Sequence, residues 1–225
     1  MRSNIYHSAC RLLACAGLLI ALQLAPAAAE IRLFKDIPAG DTYKRMAARE
    51  GYYDCTENGI QALCLPDQTF QDSAGEVAVI FDKGFSSRVV FASEGLNLFN
   101  NAVTTFSDGS YALVGIETKA GMFDFVSMLK ANGYEAAIAR FTEIEQVGLT
   151  ETELTYYFYE AEAEKLSAHA NMLEFGNSLP SGKRFITLSV TEDDEGTMSV
   201  VVFDLNHRDS EALAKVIRST LAEDF

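Results

Sequence analysis

The sequence predicts an α+β fold: one or two antiparallel sheets built from β-hairpins, with amphipathic helices packed on one face. Three observations lead there. Glu76–Phe81 and Arg88–Ala92 are short runs rich in Val, Ile and Phe, separated by the turn composition Asp82-Lys83-Gly84. Arg184–Val190 and Met198–Leu205 repeat that pattern around an acidic turn. Apolar residues at helical spacing follow each hairpin, and an amphipathic helix must bury its stripe against something. No glycine-rich phosphate loop sits between strand and helix, which disfavours a dinucleotide fold.

The first 29 residues stand apart. Arg2 and Arg11 precede the apolar run Leu12–Leu24, and Pro26 leads to Ala27-Ala28-Ala29 ahead of Glu30. That is the layout of a secretory signal peptide cut after Ala29, and it predicts a periplasmic or secreted protein. The run is too short for a comfortable membrane span, which takes about 20 residues, and no later stretch is apolar enough for one. The pattern Leu12-Leu13-Ala14-Cys15 looks like a lipid-attachment box, but the apolar stretch follows Cys15 where it ought to precede it. Residues 30–225 then form a single exported domain; two lobes, if present, divide near 133–150.

From Glu30 the chain is extended as far as Pro38. Asp41 can cap a short helix, Thr42–Arg49, ended by Gly51. Ile60–Leu65 is a strand stopped by Pro66, and the first hairpin follows. Leu96, Phe99, Val103 and Phe106 fall at helical spacing and predict a helix over 94–106, with a strand at Ala102–Phe106 as the competing reading. Tyr111–Glu117 is a strand. Met122, Phe125, Val126 and Leu129 mark a helix face closed by Gly133. Thr150 with Glu153 makes a capping-box pattern. Leu154, Phe158, Ala161, Leu166, His169 and Leu173 then trace a seam that predicts a helix over 160–175, with Gly176 as its stop, although Tyr156–Tyr159 alone reads as strand. After the second hairpin, Asp209 can cap a helix whose face is Leu213, Val216, Ile217 and Leu221.

Cleavage also removes Cys10 and Cys15. Cys55 and Cys64 remain, and two thiols this close in an exported domain are expected to pair. A redox dithiol favours C-x-x-C, and zinc needs more ligands than two sulfurs, so the pair reads as a structural disulfide.

Charge bounds the partners. The formal net charge is −14, and losing Arg2 and Arg11 takes it to −16. Such a chain repels nucleic acid and anionic lipid and attracts a basic protein. Glu192, Asp193, Asp194 and Glu195 form the densest acidic patch. Their spacing is not that of a calcium loop, and Gly196 suits a hairpin tip. Tyr52, Tyr53, Tyr156, Tyr157 and Tyr159 are candidates for an aromatic contact surface, since tyrosine joins contact area to a polar tip.

No catalytic residue, metal site or cofactor is assigned. His169 lies on an apolar seam without a nucleophile motif beside it. His207, flanked by Asp204 and Asp209, could join a metal site only with ligands from elsewhere, and Asp209 has a capping role. Glu160, Glu162 and Glu164 would spread around a helix and not converge. The sequence therefore favours a non-enzymatic exported protein that binds an envelope protein or a basic protein. The alternative is a small-ligand carrier or sensor, with Phe81, Phe91, Phe106, Phe125 and Phe141 lining an apolar pocket between sheet and helices. The native protein is expected to begin at Glu30. N-terminal sequencing with intact mass before and after reduction checks both the cleavage and the disulfide; material beginning at Met1 contradicts the export reading.

Overall fold

The chain lays a β-meander down first. In the computed structural model, residues 31–194 and 196–206 are described. A short ribbon, β1 (Arg32–Phe34) and β2 (Ile37–Pro38), precedes helix α1 (Tyr43–Ala47) and strand β3 (Tyr53–Asp54). The meander is β4 (Ala62–Phe70), β5 (Ser73–Asp82) and β6 (Phe85–Glu94). After α2 (Asn97–Phe106) come β7 (Ala112–Thr118) and β8 (Gly121–Asp124), then α3 (Phe125–Asn132) and α4 (Tyr134–Glu151). Strand β9 (Glu153–Tyr159), a 3-10 turn (Ala163–Ala168), α5 (Met172–Ser178), β10 (Arg184–Asp193) and β11 (Gly196–Leu205) complete the described chain. All strands after the ribbon join one nine-stranded antiparallel sheet in the order β3-β4-β5-β6-β11-β10-β9-β7-β8. The fold is α+β, and the two expected hairpins lie side by side in that one sheet through β6 and β11. No helix among the described residues is long and apolar enough to cross a membrane.

Alternation of side chains along each strand sorts the sheet into two faces. On the inner face lie Val77, Val79 and Phe81 of β5, Val89 and Phe91 of β6, Val201 and Phe203 of β11, Ile186, Leu188 and Val190 of β10, and Leu154, Tyr156 and Phe158 of β9. All are buried. The covering layer is built from Phe34 of β1, Leu98, Phe99, Ala102 and Phe106 of α2, and Ala137 and Phe141 of α4. Aromatic rings bridge the layers: Phe34 lies 4.9 Å from Phe203, Phe106 lies 5.4 Å from Phe158, and Phe99 stacks on Tyr156 at 5.4 Å.

The hairpin turns follow from local chemistry. Lys83 and Gly84 both have positive φ, 52° and 85°, as a two-residue turn between twisted strands requires. Gln71 and Asp72 make an equivalent turn, with φ 49° and 58°. Strand β4 therefore does not stop at Pro66. It passes through that residue by a register shift between Leu65 and Gln68, because proline offers no N–H to the ladder.

Four other expectations are corrected. Thr42, not Asp41, caps α1, its hydroxyl accepting from the Arg45 amide at 3.3 Å. Asp41 is buried instead, bound to Arg45 at 2.5 Å and Arg49 at 2.7 Å and accepting from the Thr42 amide. Met122 belongs to β8, and α3 starts after the cap Asp124, whose carboxylate accepts from the Ser127 amide at 2.9 Å. Thr150 starts no helix: it sits in the last turn of α4, with its hydroxyl donated back to the Gln146 carbonyl at 2.8 Å. The helix expected over 160–175 is a 3-10 turn followed by a new helix capped by Asn171, and Gly176 lies inside that helix. The helix expected from Asp209 lies outside the described residues.

Gly148 lets α4 approach the sheet. A Cβ there would stand 2.6 Å from Leu154 Cδ1 and 2.9 Å from Thr118 Cγ2. At the opposite edge Cys55 and Cys64 are joined as a disulfide with a Cα separation of 5.8 Å, tying the loop that carries β3 to β4. The chain-entropy relation puts closure of so short a loop at about 2–3 kcal/mol. Replacing both cysteines by alanine is expected to lower unfolding stability by about that amount in a denaturant titration, and no change would mean that the loop is ordered without the bond.

Candidate functional site: the outer face of the sheet

The outer face is floored unlike the inner one. The register places Ala78 opposite Val90, Val90 opposite Val202, and Val202 opposite Thr187. The next row runs Glu76, Ala92, Val200 and Ser189. Ala78, Ile80, Val90, Ala92, Val200 and Val202 are half-buried, whereas their inner-face neighbours are fully enclosed. At one side α5 covers this face: Phe175 packs edge-on to Tyr159, 5.9 Å away, and Tyr159 lies 4.8 Å from Phe185. The strip formed by β5, β6 and β11 is thus a β-branched floor only partly shielded from solvent.

Charge is distributed unevenly around this floor. At the end where β5 begins and β6 finishes, a groove of about 460 Å³ is lined by Asp67, Glu76, Glu94, Ala92 and Met198 among others. Glu192 and Asp194 are exposed at the tip of the β10–β11 hairpin beyond Thr191 and Met198, at the same end. Glu117 completes the rim on β7, in the row of Thr155 and Ser189. At the opposite end Asp204 is neutralised by Arg88, whose Nε and Nη2 donate to Asp204 Oδ2 at 3.0 and 2.7 Å.

Two tyrosines reach this rim. Tyr53, exposed on β3, donates to Glu76, and Tyr157, half-buried on β9, donates to Glu117. Burial, the hydrogen bond and the neighbouring carboxylate push the Tyr157 phenol well above its ordinary value. The Glu76 hydrogen bond, with smaller contributions from burial and from the carboxylate's charge, raises Tyr53 as well.

The expected aromatic surface therefore divides. Strand alternation sends Tyr156 to the inner face, where it is buried and donates to Glu145 of α4. Tyr159 points outward but is buried under Phe175 and Gly176. Tyr52 is half-buried against the core. Only Tyr53 and Tyr157 border the open floor. Of the acidic patch, Glu192 and Asp194 are exposed, Asp193 belongs to β10, and Glu195 lies outside the described residues. Phe81, Phe91, Phe106, Phe125 and Phe141 are buried and packed against other rings.

One constellation escaped the sequence reading. His169 brings Nε2 to 3.4 Å from Ser178 Oγ, and its Nδ1 lies 3.9 Å from Glu174. The order is that of nucleophile, base and acid, but the bonding is structural. Ser178 donates to the Phe175 carbonyl at 2.7 Å, and Glu174 accepts from the Ala170 amide at 2.8 Å. A separation of 3.9 Å is not a hydrogen bond that orients an imidazole. These groups tie the turn to α5. Among the described residues no three His, Cys, Asp or Glu converge as metal ligands, and no buried side-chain polar atom lacks a partner. His207 lies outside the described residues.

A second groove, of about 510 Å³, opens between Tyr111, Glu160, Lys183 and Arg184. Burial works to raise the Glu160 carboxyl, but Arg184, donating at 3.0 Å, outweighs it and holds the group below its usual range. Arg184 also lies over the Tyr111 ring at 5.6 Å. The cation is therefore already engaged.

Comparison with protein-family models, curated proteins and solved structures gives no match to this chain.

The Tyr157–Glu117 contact has an alkaline signature. A phenol whose folded pKa exceeds its unfolded value of about 10 supports the fold fully below pH ~10, and that support is lost as pH rises from there. Unfolding stability is expected to fall above pH ~10, and Tyr157→Phe should flatten that fall while absorbance at ~295 nm shows one late-ionising tyrosine fewer. An unchanged profile in the variant would exclude the contact as the source.

Proposed function

We propose that this is an exported, non-enzymatic binding protein whose outer sheet face takes a cationic, amphipathic segment of a partner protein. The observation that carries the reading is the pairing of an apolar floor (Ala78, Val90, Ala92, Val200, Val202) with a carboxylate rim (Asp67, Glu76, Glu94, Glu117) at one end. A partner helix or strand with an apolar stripe buries the floor, and its lysines or arginines meet the rim. The overall acidity supports this, because a strongly negative surface steers basic partners and rejects acidic ones. The secretion-type leader supports an envelope setting for that partner.

The test uses a photo-crosslinking residue at position 90 or 202, with position 44 on α1 as control. Face positions are expected to give one reproducible adduct with a basic envelope protein, and raising the salt should weaken it. Val90→Glu, which places a carboxylate in the floor, should reduce adduct formation about tenfold, a loss of about 1.4 kcal/mol of binding. Adducts that are equally frequent from position 44, or indifferent to Val90→Glu, would overturn the assignment of this face.

A further inference from the structure

Resting on that reading of the outer face, we propose that the partner's segment is an α-helix rather than a strand, laid along β6 and β11 and entering from the acidic end. The backbone is the first constraint. Strands β5, β6, β11 and β10 are each hydrogen-bonded to a neighbour on both edges, so none offers a ladder to an added strand. A lone strand on this floor would press its own N–H and C=O groups against apolar side chains, without partners. A helix satisfies those groups internally and presents side chains alone.

Shape is the second constraint. Ala78, Val90, Val202 and Thr187 lie in one register row, and none is larger than valine. At one side the row continues into Cys64, bonded to Cys55, and Tyr53. At the other it meets Tyr157, which stacks on Phe185 at 5.9 Å. The low floor from β5 to β10 is three strand spacings wide, about 14 Å, enough for one helix of about 10–12 Å and too narrow for two. The row of Ile80, Arg88, Asp204 and Phe185 ends the floor with longer side chains and an ion pair. From Val202 to Met198 the floor runs about 13 Å, or about two and a half helical turns. Its remaining end is the groove lined by Asp67, Glu76 and Glu94. A helix that enters there sets apolar residues three and four apart on the floor, and its lysines or arginines cross the carboxylates.

The test uses three synthetic peptides of about 14 residues. The first has leucines at i, i+3, i+4 and i+7 and lysines at one end. The second arranges the same residues in strict alternation, and the third carries glutamates in place of the lysines. Binding to the purified protein is read by fluorescence anisotropy, and helix formation by circular dichroism. The first peptide is expected to bind at least about tenfold tighter than the second and to gain helicity on binding. Val90→Glu should weaken it about tenfold. Glu76→Gln with Glu94→Gln, which leaves the floor intact and decides the matter if Val90→Glu does not fold, should weaken it several-fold and flatten its salt dependence. The third peptide should not bind. Equal binding of the first two peptides, lost in Val90→Glu, overturns the helix while the outer-face reading stands. Failure of every peptide to bind does the same if crosslinks from positions 90 and 202 still capture a basic protein, and overturns both if they do not. Binding of the first peptide that ignores all these variants also overturns both. Crosslinks from positions 90 and 202 to a second copy of the chain would replace the helix with a face-to-face dimer.

Discussion

The pairing of β6 with β11 joins segments of the chain that lie more than a hundred residues apart. Its register runs from Glu94 opposite Met198 to Arg88 opposite Asp204. The meander β4–β5–β6 and the later group β7 to β11 each carry local hairpins, but neither half encloses a core without the other. Joining them sets Val89 and Phe91 beside Val201 and Phe203, where Phe34, Phe70 and Phe106 can pack across all of them. A slip of one residue would turn Phe91 outward and Val90 inward, so the apolar pattern specifies the register strongly. The long loop closure this demands is an entropic cost that rises only slowly with length, and the inner face offsets it by burying large rings.

That same register decides which residues the outer face presents. Each inward phenylalanine has outward neighbours on its own strand, and on β5, β6 and β11 these are Ala, Val and Ile with little to cover them. The helices are drawn to the inner face because it holds the large side chains. α5 reaches the outer face near Tyr159 and Phe185, where aromatic rings again offer area, and near Gly115, where the missing side chain leaves room for Met172. The floor beyond it is left open by the distribution of residue sizes along the strands. The Arg88–Asp204 pair lies at one end of the strip, and the carboxylates of Glu76 and Glu94 lie at the other. The asymmetry makes the two ends of the strip chemically distinct.

Much of this was legible in the residues. Both hairpins, the helix over Asn97–Phe106 and the Cys55–Cys64 bond follow from Val/Ile/Phe runs, turn composition and spacing. The region 150–175 was not, for a definable reason. Leu154 and Phe158 are four apart, a spacing that fits one face of a helix and, being even, one face of a strand. Tyr156 between them breaks the tie, because it too is buried on that face. Thr150 and Glu153 have capping-box spacing, yet Thr150 spends its hydroxyl on the carbonyl four residues back and Glu153 opens a strand. The tyrosines could not be assigned to one surface without knowing that β9 is a strand; once it is, alternation separates Tyr156 from Tyr157. The carboxylate rim was illegible as a group, because Glu76, Glu94 and Glu117 meet only across strands that are remote in sequence.

The acidity of the chain takes on a local meaning in this arrangement. A net charge of this size, spread evenly, would serve solubility alone. Here three partly or wholly buried carboxylates are neutralised by arginine at fixed places: Asp41 by two arginines, Asp204 by Arg88, and Glu160 by Arg184. Each of these pairs holds a joint in the fold, namely the start of α1, the β6–β11 seam and the junction of β9 with β10. Arginine is thus concentrated where carboxylates are partly or wholly desolvated and a bidentate or multiply bonded cation stabilises most. Among the described residues, no arginine of the sheet is ion-paired with Glu76 or Glu94 on the outer face. A cation brought there by another segment gains from a site where the apolar floor excludes water on one side and the carboxylates are fixed by strands on the other. The fold in this way separates its charges into those that fasten strands and helices together and those that remain available to whatever lies across the floor.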